Sequence, residues 1–269
     1  MIGAIACKPL NYSDFLYKHN KSLLLQSNAV KGRYQKDGWG IGYYDNKGRI
    51  HLLKRPGFAA HEKKMFQRSA DFKSRIFIAH IRAASNPGKI PKRKLIGKVN
   101  SQPFCFEDFL FAHNGTLCIF EEVKSRLGKY TKYIRSRNDS EVLFWQTIKM
   151  MDAYGSIEKA LPAVADEIET IWKSVKNYSK FEYPYKGLNI LFADGKNLYA
   201  MIKRVHESQK QSLMTPTWDF WDMALLENKN SVLISSEPVN GEKWKKIKSP
   251  ALVKIHFTNR KLKIKVKNV

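Results

Sequence analysis

Four short stretches carry residue types that can do chemistry. In "AHIRAAS", Arg82 closes an apolar run just before small residues. A guanidinium so placed suits two-point capture of a carboxylate, and it equally suits an arginine emerging into solvent where a strand stops. In "FAHNGT", the side-chain amide of Asn114 and the backbone N–H of Gly115 can donate two hydrogen bonds to one oxygen, as an oxyanion hole requires. Asn-Gly is also the favoured pair for a type I′ turn. In "NDSE", Asp139 and Glu141 stand at a helix start, where carboxylates favour the helix dipole; Asp139 can bind a ligand ammonium group or act as a cap. "DGWGIGYY" sets Gly38, Gly40 and Gly42 around Trp39. Glycines there permit a positive φ or close backbone approach, and the indole can wall a pocket. The same pattern also reads as a glycine-rich turn entering a strand.

Other reactive side chains read as structural. His80 and His113 each lie on an apolar run, with no HxH or HExxH spacing and no nearby carboxylate pattern, so they are expected as buried, hydrogen-bonded core residues and no metal site is expected. Cys105 and Cys118 are expected as inert buried thiols. Cys7, Cys105 and Cys118 make an odd count without CxxC spacing, which points to a reducing compartment and excludes a disulfide framework.

The elements that must hold these residues follow from the apolar pattern. "IGAIAC" is a short strand at the chain start. "WGIGYYDNKGRIHLLKRP" is a hairpin turning at Asp45-Asn46-Lys47-Gly48. "RIFIAHIRAA" suits a strand buried on both faces, and "FEDFLFAHNGT" a strand ending in a turn, after a basic loop over residues 86–98. Asn138 or Asp139 can cap a helix carrying Val142, Leu143, Trp145, Ile148 and Met151. A second helical stretch starts near Ser156, and Pro162 fits the first turn of a fresh helix carrying Val164, Ile168, Ile171 and Val175. Strands return in "GLNILFADGKNLYAMIKR", a hairpin turning at Asp194-Gly195, in "SVLISSEPV", and in a last hairpin near "FTNRK". Strands, then helices, then strands predict one α+β domain over residues 1–269 with stacked sheets and outer helices.

Bulk composition bounds the function. A chain of 269 residues with 43% hydrophobic and 12% aromatic residues is globular. The apolar runs stop short of the roughly 18 residues a membrane span needs, and nothing reads as a secretory signal, so a soluble cytoplasmic protein is expected. The formal net charge is +24, from 48 Lys and Arg against 24 acids. Such an excess favours a polyanion such as nucleic acid, but the cations are spread out and aromatics do not interleave with the basic runs as a stacking platform would require. In the last run Leu262, Ile264 and Val266 alternate with Lys261, Lys263, Lys265 and Lys267, so one face packs inward while lysines discourage edge pairing.

The order of the pieces adds to each of them. With a strand at the chain start, "KDGWGIGYY", "AHIRAAS", "NSQPF", "FAHNGT", "NDSE", "LFADG" and "LISSEPV", the sequence resembles the class II glutamine amidotransferases, the N-terminal-nucleophile family, over nearly its whole length. It looks most like the branch carrying the glutaminase-type domain without a fused synthase. The resemblance implies a four-layer αββα sandwich, a glutamine or γ-glutamyl ligand, no cofactor, and a protein partner subunit as one option. It implies that Arg82 holds the substrate carboxylate, Asn114 and Gly115 form the oxyanion hole, Asp139 binds the ammonium, and Trp39 and Gly38 belong to the substrate pocket. The family's mature chain begins with a cysteine whose thiol attacks the amide while its own α-amine acts as base. Here the position after Met1 is Ile2. Cys7 lies five residues further on, roughly 17 Å at strand rise and of opposite parity. Further departures are Gln35-Lys36 and Gln102, at places where relatives often carry a histidine.

The resemblance therefore implies a protein that keeps the amino-acid grip without glutaminase activity, in a binding or regulatory role. The alternatives are an active amidotransferase after processing to Cys7, and a polyanion-binding module on the same fold.

Overall fold

The apolar run after Met1 becomes a central strand because every second residue has a core to enter. A computed structural model describes residues 1–205, 212–215, 218–219, 221–258 and 261–269. The first part of the chain forms β1 (Ile2–Asn11), α1 (Leu23–Gln26), β2 (Trp39–Tyr44), β3 (Ile50–Arg55), α2 (Lys63–Ala70) and β4 (Lys73–Ile81). The middle supplies β5 (Phe104–Phe106), β6 (Phe109–Leu117), α3 (Phe120–Lys124), α4 (Asp139–Tyr154) and α5 (Ile157–Val175). The last part supplies β7 (Tyr185–Ala193), β8 (Leu198–Ile202), β9 (Met223–Asn228), β10 (Ser231–Ser235), β11 (Lys245–Ile247), β12 (Ala251–Thr258) and β13 (Lys261–Lys267).

These strands form two antiparallel sheets, in the orders β11-β9-β10-β1-β4-β2-β3 and β13-β12-β8-β7-β6-β5. The interface between the sheets is an apolar core of residues such as Ile5, Ile78, Leu191, Leu198 and Ile234. The outer face of the first sheet packs Ile2, Ala4 and Phe77 against Leu16, Leu24 of α1 and Phe66 of α2. That of the second packs Phe111, Ile190 and Phe192 under α4 and α5. The result is the four-layer αββα order. In β1 the period of two turns Met1 and Ile5 into the inter-sheet core, and Ile2, Ala4 and Ala6 toward the outer helices.

Several sequence expectations are corrected. Asn114-Gly115 is not a turn: both residues lie inside β6, opposite Asn189 and Leu188 of β7, because Leu117 beyond them is a buried core residue that prolongs the pairing. The turn before β6 is at Glu107, whose φ is 49°. Pro162 does not open a fresh helix but sits inside α5, which runs unbroken from Ile157. The apolar stripe Ile157, Leu161, Val164 and Ile168 is buried along the whole element, and this packing outweighs the one backbone bond the proline removes. Cys118 is buried as expected, whereas Cys105 is exposed, since it faces outward on the edge strand β5. In β13, Leu262 and Ile264 pack against the inter-sheet core, while Val266 is 61% exposed. The turn in "FTNRK" falls at residues 259–260, outside the described residues.

Candidate active site

Arg82 follows β4 directly, and its backbone stays in the ladder: its N–H donates to Gly38 O at 2.8 Å and its carbonyl accepts from Asp37 N at 2.9 Å. The side chain is buried. Nη1 donates to Leu95 O at 2.7 Å, and Nη2 has no hydrogen-bond partner among the described residues. Burial pulls this guanidinium below its ordinary pKa, against the pull of Asp139 and Asp37. A buried donor left open this way costs free energy until something accepts from it.

The free edge of β6 supplies the next groups. His113 N donates to Gln102 Oε1 at 2.6 Å, and Gln102 Nε2 donates back to His113 O at 3.1 Å. The glutamine side chain thus stands in for a neighbouring strand. Two residues on, the alternation of β-structure turns the Gly115 N–H to that same edge, away from β7. No side chain fits at this position, where a Cβ would lie 2.0 Å from Gly187 O and 2.4 Å from His113 Nε2. Gln102 is itself placed by a glycine, since a Cβ on Gly40 would sit 2.4 Å from Gln102 O.

At the start of α4, Asn138 caps the helix by accepting from Ser140 N at 3.0 Å. The Asp139 carboxylate accepts from Ser85 Oγ at 2.6 Å and from Leu117 N at 2.8 Å. It therefore pins helix, strand and the loop after Arg82 together. Ser140 Oγ lies 3.0 Å from His113 Nδ1, whose Nε2 lies 3.0 Å from Gly187 O. Both His80 and His113 are buried, and burial holds each below the usual imidazole pKa.

These elements enclose one cavity, whose wall includes Met1, Arg82, Asn114, Gly115, Ser140 and Glu237. The Met1 amine donates to Ser236 Oγ at 3.1 Å, and burial pushes its pKa down to about 5. Glu237 accepts from Leu213 N at 2.7 Å and Met214 N at 2.6 Å, and burial raises its pKa.

Of the residues singled out in the sequence, the fold brings Arg82, Asn114 and Gly115 to this wall. Asp139 stands one layer behind, reached through Ser85, which does line the cavity. Trp39 is turned away: its indole packs on Phe66 with ring centroids 5.0 Å apart, and its Nε1 donates to Glu62 at 2.8 Å. Gly38 has a φ of 126° and faces Ser101, whose Oγ would lie 2.3 Å from an added Cβ. The Ile2 side chain lies in the outer core, and the residue of β1's start that reaches the cavity is Met1. Cys7, Cys105 and Cys118 are not among its lining residues.

Sequence reasoning passed over Ser140, Gln102 and Glu237. The sequence marks Gln102 only as a departure from the family pattern, and "LISSEPV" contains nothing that marks Glu237 as buried. His113 read as a core residue, and it is one; its contact with Ser140 joins residues 27 apart in sequence. Among the described residues no cluster of His, Cys, Asp and Glu is placed to hold a metal ion, and no helix is long and apolar enough to cross a membrane.

Comparison with known proteins points to one family. A family model described as class-II glutamine amidotransferases matches residues 20–266. An uncharacterized protein of Methanocaldococcus jannaschii is 32% identical over 192 residues, 69% of this chain and 48% of the relative, so the chain spans about half of that relative's length. The putative glutamine amidotransferase YafJ of Escherichia coli is 26% identical, over 83% of this chain and 86% of the relative. Among solved structures, a glutamine aminotransferase class-II domain protein from Silicibacter pomeroyi superposes with a TM-score of 0.64 at 17% identity, covering 98% of this chain and 97% of that one. The glutamine phosphoribosylpyrophosphate amidotransferase of Bacillus subtilis superposes with a TM-score of 0.60 at 16% identity, covering 98% of this chain and 48% of that one. At these identities the structural likeness speaks for the fold.

Proposed function

Because the chain belongs to the class-II glutamine amidotransferases, we propose that its cavity takes the amino-acid end of glutamine or a γ-glutamyl compound, without the cysteine chemistry that would cleave it. One observation carries the reading: among the described residues, the buried Arg82 keeps an unpartnered Nη2 in a cavity whose wall also holds Asn114 and Gly115 but no cysteine. A ligand carboxylate supplies the missing acceptor, and the guanidinium gains a charge-assisted pair. The carbonyl oxygen of the ligand's amide then meets the Gly115 N–H and the Asn114 amide.

The ammonium end is less direct. Ser85 Oγ donates to Asp139 and offers its lone pairs to the cavity side, so the negative charge of Asp139 is felt through a hydroxyl. The activity that follows is binding, in a sensing or regulatory role toward a partner. A cysteine nucleophile made by cleavage before Cys7 is disfavoured, because Ile2 to Ile5 pair with both β10 and β4 in the middle of their sheet.

Titration calorimetry of the purified chain with L-glutamine and with a γ-glutamyl dipeptide tests the reading. Saturable binding without ammonia release is expected. A folded sample that binds neither at millimolar concentration overturns it.

A further inference from the structure

We propose that Ser140 and His113 form a nucleophile–base pair that accepts an acyl group in the cavity where the cysteine is missing. The acyl group assigned to it, γ-glutamyl, rests on the binding reading above; the pair itself rests on geometry alone.

The proton positions follow from the partners. Gly187 O can only accept, so the imidazole nitrogen 3.0 Å from it, Nε2, carries the ring proton. Nδ1 therefore presents its lone pair, and the Ser140 hydroxyl 3.0 Å away donates to it. A hydroxyl held by a base that is in turn oriented by a third group is the arrangement of an activated nucleophile. Burial keeps the base neutral, with Asp139 as the opposing influence, and the other charged or titratable groups around the cavity are Arg82, His80, Glu237 and the Met1 amine. Ser140 is fixed from behind by its N–H to Asn138 Oδ1. Both members of the pair line the cavity, next to Asn114 and Gly115.

Each atom has a place to go. Ser140 Oγ attacks the γ-carbonyl carbon while its proton passes to His113 Nδ1. The carbonyl electron pair moves onto oxygen, which the Gly115 N–H and the Asn114 amide receive. Collapse breaks the bond to the leaving group, which takes the proton back from His113. Water then attacks the acyl-serine, giving its proton to Nδ1, and the released Ser140 oxygen recovers it. A backbone carbonyl orients His113 where serine hydrolases use a carboxylate, so the forming imidazolium is less stabilised. That directs the pair to esters, thioesters and activated anilides of glutamate, ahead of plain amides.

The test uses the full chain with two probes: a fluorophosphonate, whose adduct is mapped by peptide mass spectrometry, and L-glutamyl-γ-p-nitroanilide, whose release of nitroaniline is followed optically. The expected results are an adduct on Ser140, its loss in Ser140→Ala, and a labelling rate lowered about 10²-fold in His113→Asn, the scale of a lost general base. Ser140→Cys should restore a reactive group, read as alkylation by iodoacetamide at that position. Wild-type protein that binds glutamine yet takes no label, or takes it elsewhere, overturns the pair and leaves the His113 contact purely structural. Labelling of Ser140 without any glutamine binding removes the binding reading and leaves the pair standing. Mapping on the wild type decides the matter even where a variant fails to fold.

Discussion

Replacing Arg82 by methionine separates a binding role from a structural one. The guanidinium makes one short bond, Nη1 to Leu95 O at 2.7 Å, and a long one to Asp37 O at 3.5 Å, while Nη2 has no partner among the described residues. Losing the first strands a carbonyl, at about 1–3 kcal/mol. Losing Nη2 removes a buried donor that nothing satisfied, and methionine fills similar length with apolar atoms, so part of that cost is offset. The net effect on stability should stay within about 2 kcal/mol, a fall of roughly 4–8 °C in Tm for a chain of this size. Binding responds more sharply. A hydrogen bond to a charged group is worth about 1.5–3 kcal/mol, so the Kd for glutamine should rise about 10- to 150-fold. Arg82→Lys keeps the charge but cannot reach Leu95 and a ligand carboxylate together, and should fall between. Calorimetry paired with thermal denaturation reads both quantities. An Arg82→Met protein that melts lower but binds glutamine within twofold of wild type would refute the reasoning, since the Leu95 bond would then be all that Arg82 does.

Further outcomes follow from the same contacts. Gly115→Ala should not yield folded protein, because the new Cβ would meet the Gly187 carbonyl at 2.0 Å; circular dichroism of the purified chain checks this. Asp139→Asn should lower stability by about 1–3 kcal/mol, since a group that accepted from both Ser85 and Leu117 becomes half donor, and urea titration measures it. His80 and His113 are held neutral in the fold below the usual value near 6.5, whereas the unfolded chain protonates them as the pH falls through it. The unfolded state then binds more protons, so stability should drop by as much as about 2 kcal/mol between pH 7 and 5.5; the Met1 amine, at about 5, adds to the slope. Urea melts at the two pH values test the sign. Ile2→Cys should release no ammonia from glutamine, because that side chain belongs to the outer core; turnover in a coupled ammonia assay would mean that β1 can shift its register.

The strands and helices were legible where their periodicity had one cause. The hairpin at Asp45 and the helix capped by Asn138 follow from local signals, and the structure keeps both. Local signals misled where tertiary packing overrode them. Asn114-Gly115 carries strong turn chemistry, yet Leu117 has a core to reach, so the strand continues through it. Pro162 reads as a helix start, yet an apolar stripe on both sides of it is buried under one sheet. The site was legible as a set of residue types but not as distances. Arg82, Asn114 and Gly115 meet because β4 and β6 lie in facing sheets, a relation no spacing along the chain encodes. Trp39 failed as a wall for the same reason: its neighbour Glu62, which claims the indole N–H, is 23 residues away.

The start of β1 brings these constraints together. A nucleophile at the strand's end must satisfy two conditions, a side chain on the cavity side and an amine within reach of it. Alternation gives the cavity side to Met1 and the outer core to Ile2, so moving sulfur to position 2 fails the first condition without a shift of one residue. Such a shift would expose every buried residue of β1 to the wrong face, trading Ile2, Ala4 and Ala6 for Gly3 and Ile5 against helices already packed on small side chains. The register of β1 is thereby locked by its core. Reactivity in this cavity must come instead from groups fixed by other elements, and on the wall the hydroxyl on α4 is already paired with a nitrogen base, the imidazole on β6.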